Sequence, residues 1–163
     1  MRRLIIFVII LAGFISICFG QFRPSASPVK IIQLPSPRLT GQVSIEQALA
    51  SRRITQQFTN QQLDFEQIGQ LAWAGQGIIN EQEGLRTAPS VGTTYPIKLY
   101  FATPEGMFLY HPHQHKLEEL SNQDIRERLS AAAMHQQVVA DAACDIIIVG
   151  SVSYTHLTLP TKA

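Results

Sequence analysis

The sequence predicts a single globular domain that combines α-helices with β-strands, and three observations support this. The chain has 163 residues, of which 45% are hydrophobic, and its length and composition suit one domain with a core. Two segments begin with helix-capping sequences, S-I-E-Q at residues 44–47 and D-F-E-Q at residues 64–67. A turn at Pro104-Glu105-Gly106 separates two apolar runs, which is typical of a β-hairpin. The formal net charge of +1 gives no indication of nucleic-acid binding.

The first twenty residues have the pattern of an export signal. Arg2 and Arg3 precede an uncharged apolar run, and Gly20 ends it. We therefore expect residues 1–20 to be a signal peptide and the protein to be exported, to the periplasm or another extracytoplasmic location. The apolar run is short for a membrane span, which needs about 20 residues. An uncleaved leader that anchors the protein through residues 4–20 stays open as the alternative, and it is the one membrane association that we expect.

The next segment, residues 21–42, contains four prolines and few apolar residues in any rhythm. This composition predicts an extended linker rather than a packed element. The domain proper then begins near residue 43. Its first helix starts after Ser44 and brings Arg52 and Arg53 to its end. Arginines in a last helical turn interact favourably with the helix dipole and need no ligand.

The remaining elements follow from capping residues and apolar runs. Asp64 caps a second helix that ends by Gly75 or Gly77. Ser121–Asp124 cap a third helix, and its alanine-rich sequence continues beyond residue 136. The run D-I-I-I-V-G at Asp145–Gly150 predicts a buried strand.

Several single residues invite a ligand interpretation that the sequence does not favour. His111, His113 and His115 alternate, but a proline interrupts any strand there and no cysteine or carboxylate completes a metal-binding set, so we expect no metal. Trp73 is expected in the core or an interface more than on an aromatic ligand. Cys144 has no evident basic neighbour and is expected to be a small core residue.

The most distinctive stretch is R-T-A-P-S-V-G-T-T-Y-P at residues 86–96. Its two prolines prevent a continuous helix, and Gly92 with its small neighbours leaves the main chain bare. The strong strand sequence Ile97–Thr103 follows and gives the loop a rigid support. The segment is therefore either an ordinary connection or a loop that presents main-chain groups to a flat ligand.

Four motifs in register resemble the nitroreductase superfamily, in the branch named after the azoline dehydrogenases of thiazole- and oxazole-forming toxin pathways. They are S-I-E-Q-A-L-A-S-R-R, L-A-W-A-G-Q-G-I, the loop at residues 86–96, and Y-H-P-H-Q-H-K-L. The resemblance covers about residues 34–150. It implies an α+β, nitroreductase-like fold of three layers with a central, mostly antiparallel sheet. It also implies an FMN-dependent oxidoreductase with ping-pong transfer of hydride or electrons from a donor to a small organic substrate. The family works as a homodimer with flavin at the subunit interface.

The resemblance assigns cofactor contacts to seven residues. They are Arg52, Arg53, Pro89, Ser90, Val91, Gly92 and Gln136. The two arginines would hold the flavin phosphate or the polar edge of the ring, because a guanidinium forms bidentate, charge-assisted bonds. The sequence departs from the family pattern at Ile54 and Gln56, where a serine and a basic residue are usual. An exported, flavin-poor binding protein of the same fold is therefore the alternative function. No catalytic residue is assigned.

The last residues, 151–163, read S-V-S-Y-T-H-L-T-L-P-T-K-A. They resemble the translated adapter tail of a truncated reading frame, at a point where the family continues with further helices and strands. On this interpretation residues 43–150 are the N-terminal part of the domain, the fold is incomplete at its C-terminus, and the chain as written holds no flavin and forms no dimer. The alternative is a genuine threonine-rich edge strand that Pro160 ends.

Overall fold

The computed structural model describes residues 29–59 and 61–151. The predicted leader, residues 1–20, lies outside the described residues, as does the predicted tail apart from Ser151. Both stay predictions. In the described part of the chain no helix is long and apolar enough to cross a membrane.

The fold is built on an antiparallel sheet of five strands. In chain order, the strands and helices of the domain are β1 (Ile31–Gln33), α1 (Ile45–Ser51), α2 (Phe65–Gln76), β2 (Ile78–Asn80), β3 (Leu85–Arg86), β4 (Ile97–Thr103), β5 (Gly106–His111), β6 (Lys116–Ser121), α3 (Arg126–Ala132), α4 (Gln137–Asp141) and β7 (Asp145–Gly150). The large sheet has the order β1-β6-β5-β4-β7, while β2 and β3 form a separate hairpin. The predicted mixed α+β class with a central antiparallel sheet is therefore confirmed.

The core lies between helix α2 and one face of the large sheet. Alternate residues of β5 are buried, and the side chains between them are only partly covered. Phe101, Phe108 and Leu117 are almost completely buried and pack with Ile68 and Ala72 of α2. Because the buried positions share one face, burial of their apolar area fixes the position of α2 on the sheet.

Both predicted capping boxes are present. The Asp64 carboxylate accepts from the Gln67 amide, and the Gln67 side chain accepts from the Asp64 amide, at the start of α2. Ser44 and Gln47 make the same reciprocal pair at the start of α1. Helix α2 ends at the Gly77 cap, as predicted.

The hairpin that joins β4 to β5 is also confirmed, with Thr103 paired to Gly106. Gly106 has a φ of 144°, and an added Cβ would collide with the carbonyl oxygen of Ser121. Glycine is therefore required at this turn by both conformation and space.

Part of the segment 21–42 was wrongly predicted to be an unpacked linker. Ile31–Gln33 form β1 and pair with β6 in the large sheet, with Ile32 opposite Leu117. Leu34 is buried in the core. The partner strand lies more than eighty residues further along the chain, so the local proline-rich composition gave no signal of the pairing.

Three further element predictions need correction. The third helix begins at Arg126 rather than after Ser121, because Ser121 belongs to strand β6. The alanine-rich segment also breaks in two, since Met134 and His135 both have left-handed φ values of 57°. Among the described strands β7 lies at the edge of the sheet and pairs only with β4, and Ile148 is largely exposed rather than buried.

Candidate functional site

The loop between β3 and β4 is exposed at residues 91–94. Val91–Thr93 form one turn of 3-10 helix, and Val91 is 95% exposed. Gly92 has a φ of 63°, and the non-glycine residues Thr93 and Tyr95 are also left-handed, at 52° and 42°. Left-handed conformations at non-glycine residues cost free energy and persist where the surroundings hold them in place. The loop is thus held in a specific shape.

Hydrogen bonds at both ends of the loop supply that restraint. The Arg86 amide donates to the Tyr95 hydroxyl at 3.1 Å, and the Tyr95 amide donates to Ser90 Oγ at 3.0 Å. The Thr87 hydroxyl donates to the Trp73 carbonyl oxygen at 3.0 Å, which ties the loop to the end of α2. The half-buried Trp73 therefore contributes to the support of the loop through its main chain.

Arg86 is the central side chain of this support. Its guanidinium lies over the Tyr95 ring, with Cζ at 4.6 Å from the ring centroid. Its Nη1 donates to Oε1 of Gln76 at 3.3 Å, and Gln76 is only 4% exposed. Arg86 Nε is buried with no hydrogen-bond partner in the described part of the chain. The stacking on Tyr95 and the bond to Gln76 fix the orientation of the guanidinium.

A pocket of about 280 Å³ opens beside this arginine. Its walls come from the end of α2, from β3, from the start of β4 and from the end of β5. The residues that line it are Gln76, Arg86, Tyr95, Ile97, Lys98, Leu99, Leu109, Tyr110, His111 and Pro112. Burial raises the pKa of Tyr110 to about 12, and the nearby Arg86 charge opposes that shift. Tyr110 is therefore a neutral phenol at physiological pH.

Two of the three alternating histidines have structural partners. His115 Nε2 lies 2.8 Å from the carbonyl oxygen of Pro35, which can only accept, so this nitrogen donates. In the neutral imidazole Nδ1 then accepts from the Tyr110 hydroxyl at 2.9 Å. His111 Nε2 lies 2.6 Å from a carboxylate oxygen of Glu118. Hydrogen bonding to different partners thus accounts for two of the three histidines.

The two predicted phosphate-binding arginines lie at the exposed end of α1. Arg53 Nη1 donates to the carbonyl oxygens of Ala50 and Arg52, at 3.1 and 2.8 Å. This is the helix-end interaction that the sequence offered as the simpler interpretation. The Arg52 side chain makes no hydrogen bond or ion pair with the described residues, and it follows the helix as its C-cap.

Gln136 lies at the break between α3 and α4 rather than within a continuous helix, which corrects its predicted setting. It is the N-cap of α4, and its carbonyl oxygen accepts from Ser130 Oγ at 2.8 Å. Its side chain is exposed. The roles predicted for it in cofactor binding stay a prediction.

Cys144 is confirmed as a small core residue. It is half-buried and packs against the hydrophobic core. Burial, with a smaller effect of the Asp145 and Glu105 carboxylates, raises the pKa of its thiol to about 11. The thiolate is therefore disfavoured at neutral pH.

The structure contains a pocket that was not predicted from the sequence. None of the seven residues predicted to contact flavin lines the 280 Å³ pocket. The pocket is lined instead by Gln76, Arg86 and Tyr95, among other residues, and hydrogen bonds of these three residues support the predicted loop. All three fall within the quoted motifs, L-A-W-A-G-Q-G-I and R-T-A-P-S-V-G-T-T-Y-P, so their place in those motifs was the available signal.

Comparison with known proteins places this fold and loop in one class. The nitroreductase family matches residues 49–161, a range that runs into the predicted tail. A protein of Methanocaldococcus jannaschii is 27% identical over 130 residues, which cover 76% of this chain and 64% of that protein. A crystal structure from Ralstonia eutropha has a TM-score of 0.66 and 32% identity, and the match covers 74% of this chain and 55% of that one. Both proteins carry the name "putative nitroreductase".

The antiparallel sheet, the supporting helix and the exposed loop thus have the form of a nitroreductase-like domain. The chain belongs to the nitroreductase family. It spans 64% of the length of the Methanocaldococcus relative and 55% of the Ralstonia chain.

Proposed function

We propose that the protein is an FMN-dependent oxidoreductase. The observation that carries this proposal is the loop Pro89–Gly92 in a nitroreductase-family domain, with Pro89, Val91 and Gly92 exposed and the start of the loop tied to α2. A flat, polar-edged ring is the kind of ligand that such a bare main chain suits. When bound, FMN supplies a ring that accepts and releases hydride.

Two arginines at the end of α1 suit a cofactor that carries negative charge. Arg52 and Arg53 form no ion pair with a carboxylate of the described residues. Their positive charges are therefore not neutralised within this part of the protein. We assign them to the phosphate or the polar edge of the ring, Pro89, Ser90, Val91 and Gly92 to the ring face, and Gln136 to an additional contact.

The remaining parts of the proposal rest on the sequence motifs and on the leader pattern. Turnover is ping-pong, because donor and substrate use the same face of one cofactor in turn. The substrate is a small organic molecule, the protein acts as a homodimer, and it belongs to the azoline-dehydrogenase branch. The leader directs it out of the cytoplasm, where the electron donor need not be a nicotinamide.

One observation favours a second function, that of a flavin-poor binding protein. The Arg53 guanidinium is engaged with the carbonyl groups of its own helix end, and Ile54 and Gln56 replace a hydroxyl and a positive charge of the family pattern. With fewer charge-assisted bonds, the affinity for FMN would be lower.

Colour distinguishes the two functions. The full-length protein is purified without added flavin, and the flavin absorbance is measured before and after gel filtration. A flavoprotein stays yellow with close to one flavin per chain, and the bound flavin is reduced by dithionite and reoxidised by an electron acceptor. A colourless protein that takes up no FMN on titration would contradict the oxidoreductase proposal.

A further inference from the structure

The pocket beside Arg86 is lined by both apolar and polar residues, and the charged residues in its lining are basic. Arg86 supplies a guanidinium, Lys98 of β4 is a second basic residue in the lining, and among the described residues that line the pocket none is an aspartate or a glutamate. Glu118 of β6, the strand beside β5, is already bound by His111. The positive charge of the pocket is therefore left for a ligand.

The hydrogen-bonding groups that face this charge are mostly donors. Gln76 uses its carbonyl oxygen to accept from Arg86, so its amide nitrogen is the group left to donate. The Tyr95 hydroxyl already accepts from the Arg86 amide, and its own proton is left to donate. Hydrogen-bond donors held in place beside a cation favour a ligand group that accepts hydrogen bonds and carries negative charge.

Arg86 is preorganised for such an anion. Its guanidinium is stacked on Tyr95 and bonded at Nη1, while Nη2 has no hydrogen-bond partner in the described part of the chain. Since the side chain is already ordered, binding loses little rotamer entropy, and this raises affinity.

The size and the apolar walls limit the rest of the ligand. Ile97, Leu99 and Leu109 form an apolar part of the lining, and the volume is about 280 Å³. Ligand pockets usually hold roughly 300–1,000 Å³, so this one suits a small molecule with a single ring or a short chain.

We propose that this pocket, lined by Arg86, Lys98 and Gln76, binds the carboxylate of a small organic acid with an apolar body. The inference goes beyond the proposed function, because it assigns a second ligand to a pocket that none of the seven proposed flavin contacts lines. Binding of this ligand is independent of flavin and is measured separately.

The experiment titrates the full-length protein, stripped of any flavin, with benzoate and with its neutral analogue benzamide, by calorimetry or NMR. We expect benzoate to bind about tenfold or more tightly than benzamide, because only the carboxylate gains charge-assisted bonds. R86Q should weaken benzoate about tenfold or more, and K98Q, at an exposed lysine, about two- to fivefold. R128Q removes an exposed arginine of α3, outside the pocket lining, and should leave benzoate affinity unchanged.

Two further arms identify the source of the anion. Inorganic phosphate should compete weakly, since it lacks an apolar body, and saturating FMN should leave benzoate affinity unchanged. Displacement of benzoate by FMN would overturn the inference, because the pocket would then belong to the cofactor. Equal affinity for benzoate and benzamide, or an equal loss in R128Q and K98Q, would also overturn it. If R86Q does not fold, the comparison of K98Q with R128Q still tests the inference. A protein that binds flavin but does not bind benzoate would refute this inference and leave the proposed function intact.

Discussion

Gly92 is the residue on which the loop geometry depends most directly. Its φ of 63° is left-handed, and an added Cβ would meet nothing closer than Thr94 Cγ2 at 4.0 Å. The part of the chain that the structure describes therefore leaves the space above this residue open. We predict that G92V abolishes flavin retention, because a branched side chain would occupy the space proposed for the ring and strain the backbone.

Gly84 provides a matched control for that substitution. It has a φ of 64° with open space around it, so a valine there carries the same backbone strain in the β2–β3 turn, away from Pro89–Gly92. G84V should keep the flavin content of the wild type. Equal flavin occupancy in G92V and G84V, measured by absorbance after gel filtration, would show that the ring does not lie over Gly92.

Arg52 and Arg53 differ in their partners, and this predicts unequal roles in cofactor binding. The Arg53 guanidinium donates to carbonyl oxygens at the end of α1, whereas the Arg52 side chain makes no hydrogen bond with the described residues. We predict that R52A weakens FMN binding by about 1.5–3 kcal/mol, the value of a charge-assisted bond, and that R53A weakens it less. Fluorescence titration of the flavin-free protein with FMN measures both affinities. If R53A lowers the affinity for FMN as much as R52A does, the unequal roles are wrong.

Asp145 makes the stability of the domain depend on pH. Burial raises the pKa of its carboxyl group to about 6, with the Arg126 charge opposing the shift and the Asp124 charge adding to it. Its Oδ2 is buried with no hydrogen-bond partner in the described part of the chain. Because this pKa lies above that of the unfolded chain, protonation favours the folded state, and the resulting stability is lost as pH rises through about 6.

The expected result is a flatter pH profile in D145N. Urea unfolding of wild type and variant at about pH 4 and about pH 8 should show that the wild type loses more of its unfolding free energy between the two than D145N does. Comparison with the variant cancels the other titrating groups, which the two proteins share. Parallel profiles would mean that Asp145 is solvated in the folded protein.

Among the elements, helices α1 and α2 begin with the same capping box and differ in what they bury. Helix α2 buries Ile68 and Ala72 under the sheet, while α1 has no buried residue. We predict that D64A lowers the unfolding free energy by about 1 kcal/mol, because loss of the cap weakens a helix that is part of the core. S44A should change it by much less in the monomer, since α1 can fray without exposing the core. Urea unfolding at low protein concentration measures both, and equal losses would mean that α1 is coupled to the core.

The individual elements show which features the local sequence can predict. The two capping boxes were predictable because their partners lie three residues apart, and the β4–β5 hairpin because its turn closes between Thr103 and Gly106. Strand β1 was not, because Ile31–Gln33 are ordered by Lys116–Glu118, far along the chain. The exposure of β7 was missed for a related reason, since an apolar run does not reveal whether its strand is central or at an edge.

The candidate site shows the same limit. Gly92 and the prolines identified the loop from sequence, because their conformational effects are local. The support from Gln76, Arg86 and Tyr95 was not identified, because it depends on the end of α2 meeting the loop in three dimensions. Whether Arg52 and Gln136 join the loop at one cofactor depends on contacts beyond a single copy of the described residues, and this stays a proposal.

For the whole molecule, the exposed apolar face of α1 bears on assembly. Ile45 and Leu49 are 71% and 66% exposed, and the helix has seven residues. Helices shorter than about 12–15 residues are marginal in water without packing of an apolar face. Since nothing in the described chain covers this face, we propose that a second copy covers it in the homodimer.

A charge pair on that face tests the homodimer without weakening the helix. In the full-length double variant I45D/L49K, an acidic residue at the first helical position and a lysine four residues later should both stabilise α1. Loss of the dimer would therefore come from the lost apolar contact and not from an unfolded helix. Light scattering should give the mass of a dimer for the wild type and of a monomer for the double variant. I79D, at the exposed Ile79 of β2, should remain a dimer. A double variant that keeps the wild-type mass would exclude the α1 face as the interface, whatever the outcome of the flavin measurements.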